Sequence, residues 1–199
     1  MFFIQETKYK DTGKLKVMDY IIFDKVRENK TGGGGIALGC IKDLHPVLVR
    51  EGKDDIEAIS IEIFLKKMKI RCVAAYGPQE NEIIEKKNMF WEFLDEEVES
   101  AKNSGSGFVL QFDGNLWAGN EIIPKDQRIQ NRNGKIFQNF LERNNLTVVN
   151  SLSLCEGAIT RRRMKNGILE ESILDFFVVC NQILPYVKKW LSMKRNNIF

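Results

Sequence analysis

The segment from Glu57 to Leu65 limits the fold of this chain more than any other. Ile59, Ile61, Ile63 and Leu65 fall on one face, and Ser60 and Glu62 fall on the other. Successive side chains of extended backbone point to opposite faces, so alternation over this length predicts a half-buried β-strand. Lys66-Lys67-Met68 makes a polar turn, and Ile70 to Ala75 runs back as an apolar strand. Strands joined this tightly pair antiparallel, because a parallel return needs a crossover of about a dozen residues or more.

Other segments add strands and helices around this hairpin. Phe2 to Ile4 reads as a short buried strand ending at Gln5-Glu6, and Met18 to Phe23 as another. Thr31-Gly32-Gly33-Gly34-Gly35 leads directly into Ile36-Ala37-Leu38. Glycine runs that cradle phosphate open a helix; this one opens a strand-like run and reads as a flexible turn. Ile84, Trp91, Leu94, Val98 and Ala101 form one apolar stripe, which predicts a helix from Glu80 to Lys102 stopped by Gly105 and Gly107. Phe108 to Phe112 is a buried-type strand leading into Asp113. A second helix follows Asn133-Gly134, turns Ile136, Phe137, Phe140 and Leu141 inward, and ends at Asn144-Asn145. Leu146 to Val149 and Ile173 to Val179 read as further strands. Short strands with helices between them predict an α/β (α+β) sandwich in a single domain.

Composition narrows the function classes. The 199 residues are 43% hydrophobic and 29% charged, as in an ordinary globular protein. The absence of a long apolar run argues against a membrane span. The start Met1-Phe2-Phe3-Ile4-Gln5-Glu6 lacks the pattern of a signal peptide, so an intracellular location, cytoplasmic or nuclear, is expected. Cys40, Cys72, Cys155 and Cys180 are far apart and His45 is the only histidine, which excludes zinc sites of the usual spacing. A net charge of +3 permits nucleic-acid binding without arguing for it. On charge alone, Arg161-Arg162-Arg163 and the basic end with Lys188, Lys189, Lys194 and Arg195 read as solvated surface.

Several polar side chains stand at strand ends: Glu6, Tyr76 in Tyr76-Gly77-Pro78, Asp113 and Asn115, and Asp175 in Ser172-Ile173-Leu174-Asp175. Singly, each is ordinary, since an aspartate at a strand end is usually a turn residue or a cap. In this order they resemble the endonuclease/exonuclease/phosphatase superfamily, most closely the endonuclease domains of non-LTR retrotransposons and their apurinic-endonuclease-like relatives. The resemblance runs from Phe2 to about Val187. Asn133-Gly134-Lys135, Phe140-Leu141, Leu146-x-Val148-Val149-Asn150-Ser151 and Thr160-Arg161 extend it.

The resemblance implies a four-layer α/β sandwich, with two mainly antiparallel sheets face to face and helices outside. It assigns residues 1–187 to that domain and leaves 188–199 as a divergent basic tail. It implies Mg²⁺- or Mn²⁺-dependent hydrolysis of DNA phosphodiesters, beside a reverse transcriptase in the parent elements. Glu6 matches the metal-binding glutamate. Asp113 matches the residue that orients or deprotonates the attacking water, and Asn115 one that holds the phosphate. Tyr76 matches a phosphate-contacting tyrosine, and Asp175 the aspartate that orients a catalytic histidine. The residue types suit the task, because a hard cation prefers carboxylate and water oxygen. If the backbone stays extended past Asp113, its side chain and that of Asn115 point the same way.

The departures are equally specific. The family opens with an Asn-bearing strand and closes with a Ser-Asp-His segment. Here the chain starts almost at Gln5-Glu6, and no Asp, Glu or His follows Asp175. Impaired hydrolysis is therefore expected, with His45 structural. The alternative is a catalytically inactive nucleic-acid-binding or interaction remnant using Thr160, Arg161, Arg162, Arg163 and Trp117. A lipid or small-molecule phosphatase ranks last, for want of a lipid-binding segment. DNA is the expected partner, with RNA second and no membrane. Unpaired sheet edges predict self-association. Phe112 replaces the family's usual glycine, which predicts a shifted backbone at Asp113.

Overall fold

The computed structural model describes residues 1–27, 34–156, 159–165, 168–188, 190–191 and 195–196. β1 (Phe2–Gln5), β2 (Tyr20–Lys25) and β3 (Ile36–Ile41) form a small antiparallel sheet in the order β1-β3-β2. β4 (Val47–Glu51), β5 (Ala58–Leu65), β6 (Met68–Tyr76), α1 (Ile84–Asn103), β7 (Gly107–Asp113), α2 (Arg132–Asn144) and β8 (Leu146–Val148) follow. β9 (Cys155–Glu156), β10 (Arg161–Lys165), β11 (Ile168–Ser172) and β12 (Asp175–Cys180) precede two short pairings in the tail, β13 (Trp190–Leu191) with β9 and β14 (Arg195–Asn196) with β10. The main sheet has six strands in the order β4-β5-β6-β7-β12-β8. Its only parallel pairing is β6 with β7, which α1 connects.

The two sheets pack face to face. Ile59, Ile61, Ile63, Ile70, Cys72 and Ala74 of the main sheet meet Ile36, Leu38 and Cys40 of β3, with Phe3 and Phe23 against them. On the opposite face, Val73, Ala75, Leu110, Phe112, Phe176 and Val178 meet Trp91, Leu94, Val98 and Ala101 of α1 and Phe137, Phe140 and Leu141 of α2. The sandwich is as expected, with helices outside. Among the described residues both α-helices cover the main sheet, so three of the four layers lie within them.

The alternating strand departs from expectation in one respect: β5 is buried on both faces. Ser60 is fully buried against α1, and Glu62 is half-buried with its carboxylate on Lys69, Arg71 and Ser106. Ser60 Oγ donates to Glu97 Oε2 at 2.5 Å, and Arg71 Nη1 donates to the same oxygen at 2.8 Å. Arg71 also pairs with Glu62 at 3.6 Å. A polar strand face can be buried when each charge on it is matched, and Glu97 of α1 supplies that match.

Local chemistry sets the helix ends. Asn131 caps α2, with Oδ1 accepting from Gly134 N at 2.9 Å, and Asn145 ends it in the left-handed region at φ +53°. Residues 31–33 of the glycine run lie outside the described residues. Gly34 and Gly35, at φ +89° and +83°, make the expected turn before β3. All four cysteines are unbridged, and Cys40, Cys72 and Cys155 are buried. Edge strand β4 exposes Val47, Leu48 and Val49. No helix among the described residues is long and apolar enough to cross a membrane.

Glu97→Ala is expected to lower unfolding stability by roughly 3 kcal/mol, since it leaves the buried Arg71 with only its longer pairing to Glu62 and strips the partner of Ser60. The exposed neighbour Glu96, paired with Arg50 at 2.7 Å, is expected to contribute under about 1 kcal/mol. Urea unfolding of Glu97→Ala and Glu96→Ala checks both values.

Candidate active site

Backbone register builds the site. In β6 and β7, Tyr76 lies opposite Asp113, and in β7 and β12, Asp113 lies opposite Asp175. Ala75, Phe112 and Phe176, one residue further in, are paired likewise and face the helices. Side chains alternate along each strand, so Tyr76, Asp113 and Asp175 form a row on the other face, toward the small sheet. Phe112 does not displace this row. Its ring fills the helix-side core against Trp91, Phe137 and Phe176, at centroid distances of 6.2, 5.3 and 5.5 Å, and the ladder through Asp113 is unbroken.

The small sheet brings in Glu6. β1 ends at Gln5, and Glu6 enters the left-handed region at φ +54°. Thr7 N and Lys8 N donate to Gly35 O and Gly34 O at 3.1 and 2.9 Å, fixing the turn. The Tyr76 hydroxyl then donates to Glu6 Oε1 at 3.3 Å.

Asn115 reaches the site by a different route from the extended backbone expected. β7 ends at Asp113, and Asn115 has φ +45°. Asparagine tolerates this conformation better than most residues. Its backbone N donates to Asp113 Oδ1 at 3.1 Å, and its Nδ2 donates to Gly77 O at 2.8 Å. Gly77 N in turn donates to Asp113 O at 2.7 Å, and a Cβ on Gly77 would come within 2.8 Å of Gly114 O.

Burial raises the Tyr76 phenol above its usual range, and the Asp113 and Glu6 carboxylates add to this, against Asn115 and Arg27. Tyr76 is therefore a neutral hydrogen-bond donor near pH 7. Arg27 covers its ring at 5.4 Å, and Arg27 Nε donates to the buried Glu57 at 2.5 Å. A small recess of about 40 Å³ opens beside them, lined in part by Pro78, Gln79 and Lys86. The sequence pattern misses Arg27 and Glu57, because nothing in it links a loop residue to the start of a strand 30 residues away.

Asp175 opens β12. Its N–H and that of Leu174 donate to Thr160 Oγ1 at 3.2 and 2.8 Å, and Asn150 Nδ2 donates to its carbonyl at 3.1 Å. Thr160 is buried, and its hydroxyl holds the backbone ahead of Asp175. Arg161 and Arg162 are half-buried on β10, with Arg162 paired to Glu171 at 2.5 Å. The Arg163 side chain lies outside the described residues. Trp117 is exposed, with Arg128 over its ring at 5.7 Å. Arg128 is held by Asp126 at 2.8 Å and Ile173 O at 2.9 Å. His45 lies at the far end of β3 from the Ile36–Gln5 pair, five residues or roughly 17 Å along the strand.

The donors around Tyr76 are oxygens. Among the described residues no three His, Cys, Asp or Glu side chains converge on a point. Glu6, with Asp113 nearby, fits a hard ion that takes one or two carboxylates and keeps its waters; Mg²⁺ behaves in this way, and zinc does not.

No family model and no curated protein matches the sequence. Solved structures do. The endonuclease domain of TRAS1, a telomere-specific non-LTR retrotransposon, is 15% identical, with a TM-score of 0.59 over 85% of this chain and 70% of that one. The Xenopus laevis APE2 catalytic domain gives 12%, 0.64, 92% and 74%. The 3′-5′ exonuclease NExo from Neisseria meningitidis gives 17%, 0.62, 92% and 77%. The chain has the endonuclease/exonuclease/phosphatase fold. Within the endonuclease/exonuclease/phosphatase fold as this chain forms it, the row and Glu6 meet where both sheets end.

Asn115→Gly is expected to keep the turn and lose only the side-chain bond to Gly77. Asn115→Val forces a β-branched residue to positive φ and is expected to cost a further 1–3 kcal/mol or so. Thermal unfolding of the two variants separates backbone strain from the lost bond.

Proposed function

We propose that this chain is a divalent-metal-dependent phosphodiester hydrolase of the retrotransposon DNA-endonuclease type, slowed by the lack of an imidazole at its site. The observation that carries this reading is the Tyr76–Asp113–Asp175 row with the Tyr76 hydroxyl on Glu6. The nuclease and phosphatase names of the neighbours of like fold support it.

In this reading Glu6 would hold Mg²⁺ or Mn²⁺, with Asp113 beside it. The ion, when bound, polarises the phosphate and offsets its charge. Asp113 holds the attacking water by accepting its proton, with its carboxylate steadied by Asn115 N. Tyr76, kept neutral, donates to a phosphate oxygen once substrate displaces its bond to Glu6. Asn115 keeps Gly77 and Asp113 together, its Nδ2 donating to Gly77 O and its backbone N to Asp113. His45 sits at the other end of β3, so among the described residues no imidazole reaches this site. A missing donor of this kind costs about 10²–10³ in rate.

The position of His45 also favours a second reading, a binding remnant that retains the fold. Exposed Trp117, with Arg128 over its ring, suits stacking on a base. Self-association through β4, whose apolar side chains are exposed on an edge, accompanies either reading.

Nicking of supercoiled DNA with Mg²⁺ or Mn²⁺ separates the readings. Under the hydrolase reading, Glu6→Ala and Asp113→Ala each lower nicking by about 10² or more, while DNA binding persists. Equal background from parent and variants, with salt-dependent binding intact, supports the remnant.

A further inference from the structure

We infer that Glu57 is a positioning residue that fixes Glu6 and Tyr76 relative to each other, acting through Arg27 on one side and the Gly34-Gly35 turn on the other. For its catalytic consequence the inference rests on the proposed hydrolase reading; its geometric content stands apart from that reading.

Glu57 is only 5% exposed, just ahead of β5, and all its polar oxygens are used. Oε1 accepts from Arg27 Nε, and Oε2 accepts from Gly35 N, both at 2.5 Å. Its backbone carbonyl accepts from Tyr76 N at 2.8 Å. Arg27, held in this way, lies over the Tyr76 ring. On the other side, Gly35 O and Gly34 O accept from Thr7 N and Lys8 N, the residues that follow Glu6. The contacts close a circuit: Glu57, Gly35, Thr7, Glu6, Tyr76, Arg27 and back to Glu57.

The glycines make the circuit tight. A Cβ on Gly34 would overlap the Arg27 guanidinium, and one on Gly35 would overlap the Thr7 hydroxyl. The Glu57 carboxylate ties the exit of β2 to the turn into β3; its backbone carbonyl adds the end of β6, and the Gly34-Gly35 carbonyls add the exit of β1. Both of its side-chain bonds are charge-assisted; the one to Gly35 N is buried and the one to Arg27 is partly so, and burial strengthens such bonds. Productive sites hold their groups within about 0.5 Å by such support, so loosening Glu57 disturbs Glu6 and Tyr76 before it unfolds the domain.

The test uses the full chain labelled with 3-fluorotyrosine, with the Tyr76 resonance assigned by Tyr76→Phe. Glu57→Gln keeps an acceptor for Gly35 and loses the charge on Arg27; Arg27→Lys keeps the charge and loses the Nε contact. Both are expected to move or broaden the Tyr76 ¹⁹F resonance. The Glu57→Gln shift is expected to shrink in a Glu6→Gln background, because the two residues act on one ring. A Tyr76 resonance unchanged in Glu57→Gln, or shifts from Glu6→Gln and Glu57→Gln that simply add, would overturn the inference. Arg27→Lys, at a half-buried surface position, carries the same test if Glu57→Gln fails to fold. Where the parent nicks DNA, Glu57→Gln is expected to lower kcat at least tenfold with KM little changed, and an unchanged kcat counts against the inference. A parent that fails to nick removes the hydrolase reading and leaves the resonance shifts to decide the positioning role.

Discussion

β6 and β7 run parallel, and for that reason Tyr76 and Asp113 finish side by side at one edge of the main sheet. A hairpin between these strands would have put them at opposite ends. Parallel return requires a crossover, and α1 provides it by lying across β5 and β6. The face it covers carries Ser60, Glu62 and Arg71, which would resist burial without partners. Glu97 on α1 answers both Ser60 and Arg71. Helix docking thus combines the apolar stripe of α1 with one buried ionic match, and the parallel pairing sets Tyr76 beside Asp113.

The second half of the site comes from a separate sheet, and its alignment depends on turns. Glu6, Asn115, Gly34 and Gly35 all have positive φ. Each bends the chain where a strand ends, and each bend is held by backbone hydrogen bonds. The result is a carboxylate-rich edge with one nearby guanidinium and a phenol kept protonated by burial. Such an edge repels a bare phosphodiester and suits one accompanied by a hard cation. In the proposed reading, that electrostatic balance would link metal dependence to the chain's own residues.

Much of this was legible in the sequence, for identifiable reasons. The Ile59–Ile61–Ile63 alternation marked β5 because one face is purely apolar, and the Trp91–Leu94–Val98–Ala101 stripe marked α1 because its core face is continuous. The polar face of β5 misled, since Ser60 and Glu62 look solvent-facing until Glu97 is found on Ser60, and Arg71, Lys69 and Ser106 on Glu62. Val47 to Glu51 escaped notice as a strand because an edge strand exposes both faces and shows little pattern. The order of Glu6, Tyr76, Asp113 and Asp175 pointed to residues that the register brings into one place. Asn115 was found at the site by a turn and not by strand alternation. Thr160 belongs to the backbone support of Asp175, and Glu57 and Arg27 were hidden because their pairing is purely tertiary.

The central claim is that Glu6, Tyr76 and Asp113 form one site that accepts a divalent cation. Anomalous diffraction from crystals soaked in Mn²⁺ tests it most directly. The account predicts a single strong peak against the Glu6 carboxylate, on the side facing Asp113, that disappears in Glu6→Ala crystals. A peak elsewhere on the chain, or one that survives the loss of Glu6, would contradict it.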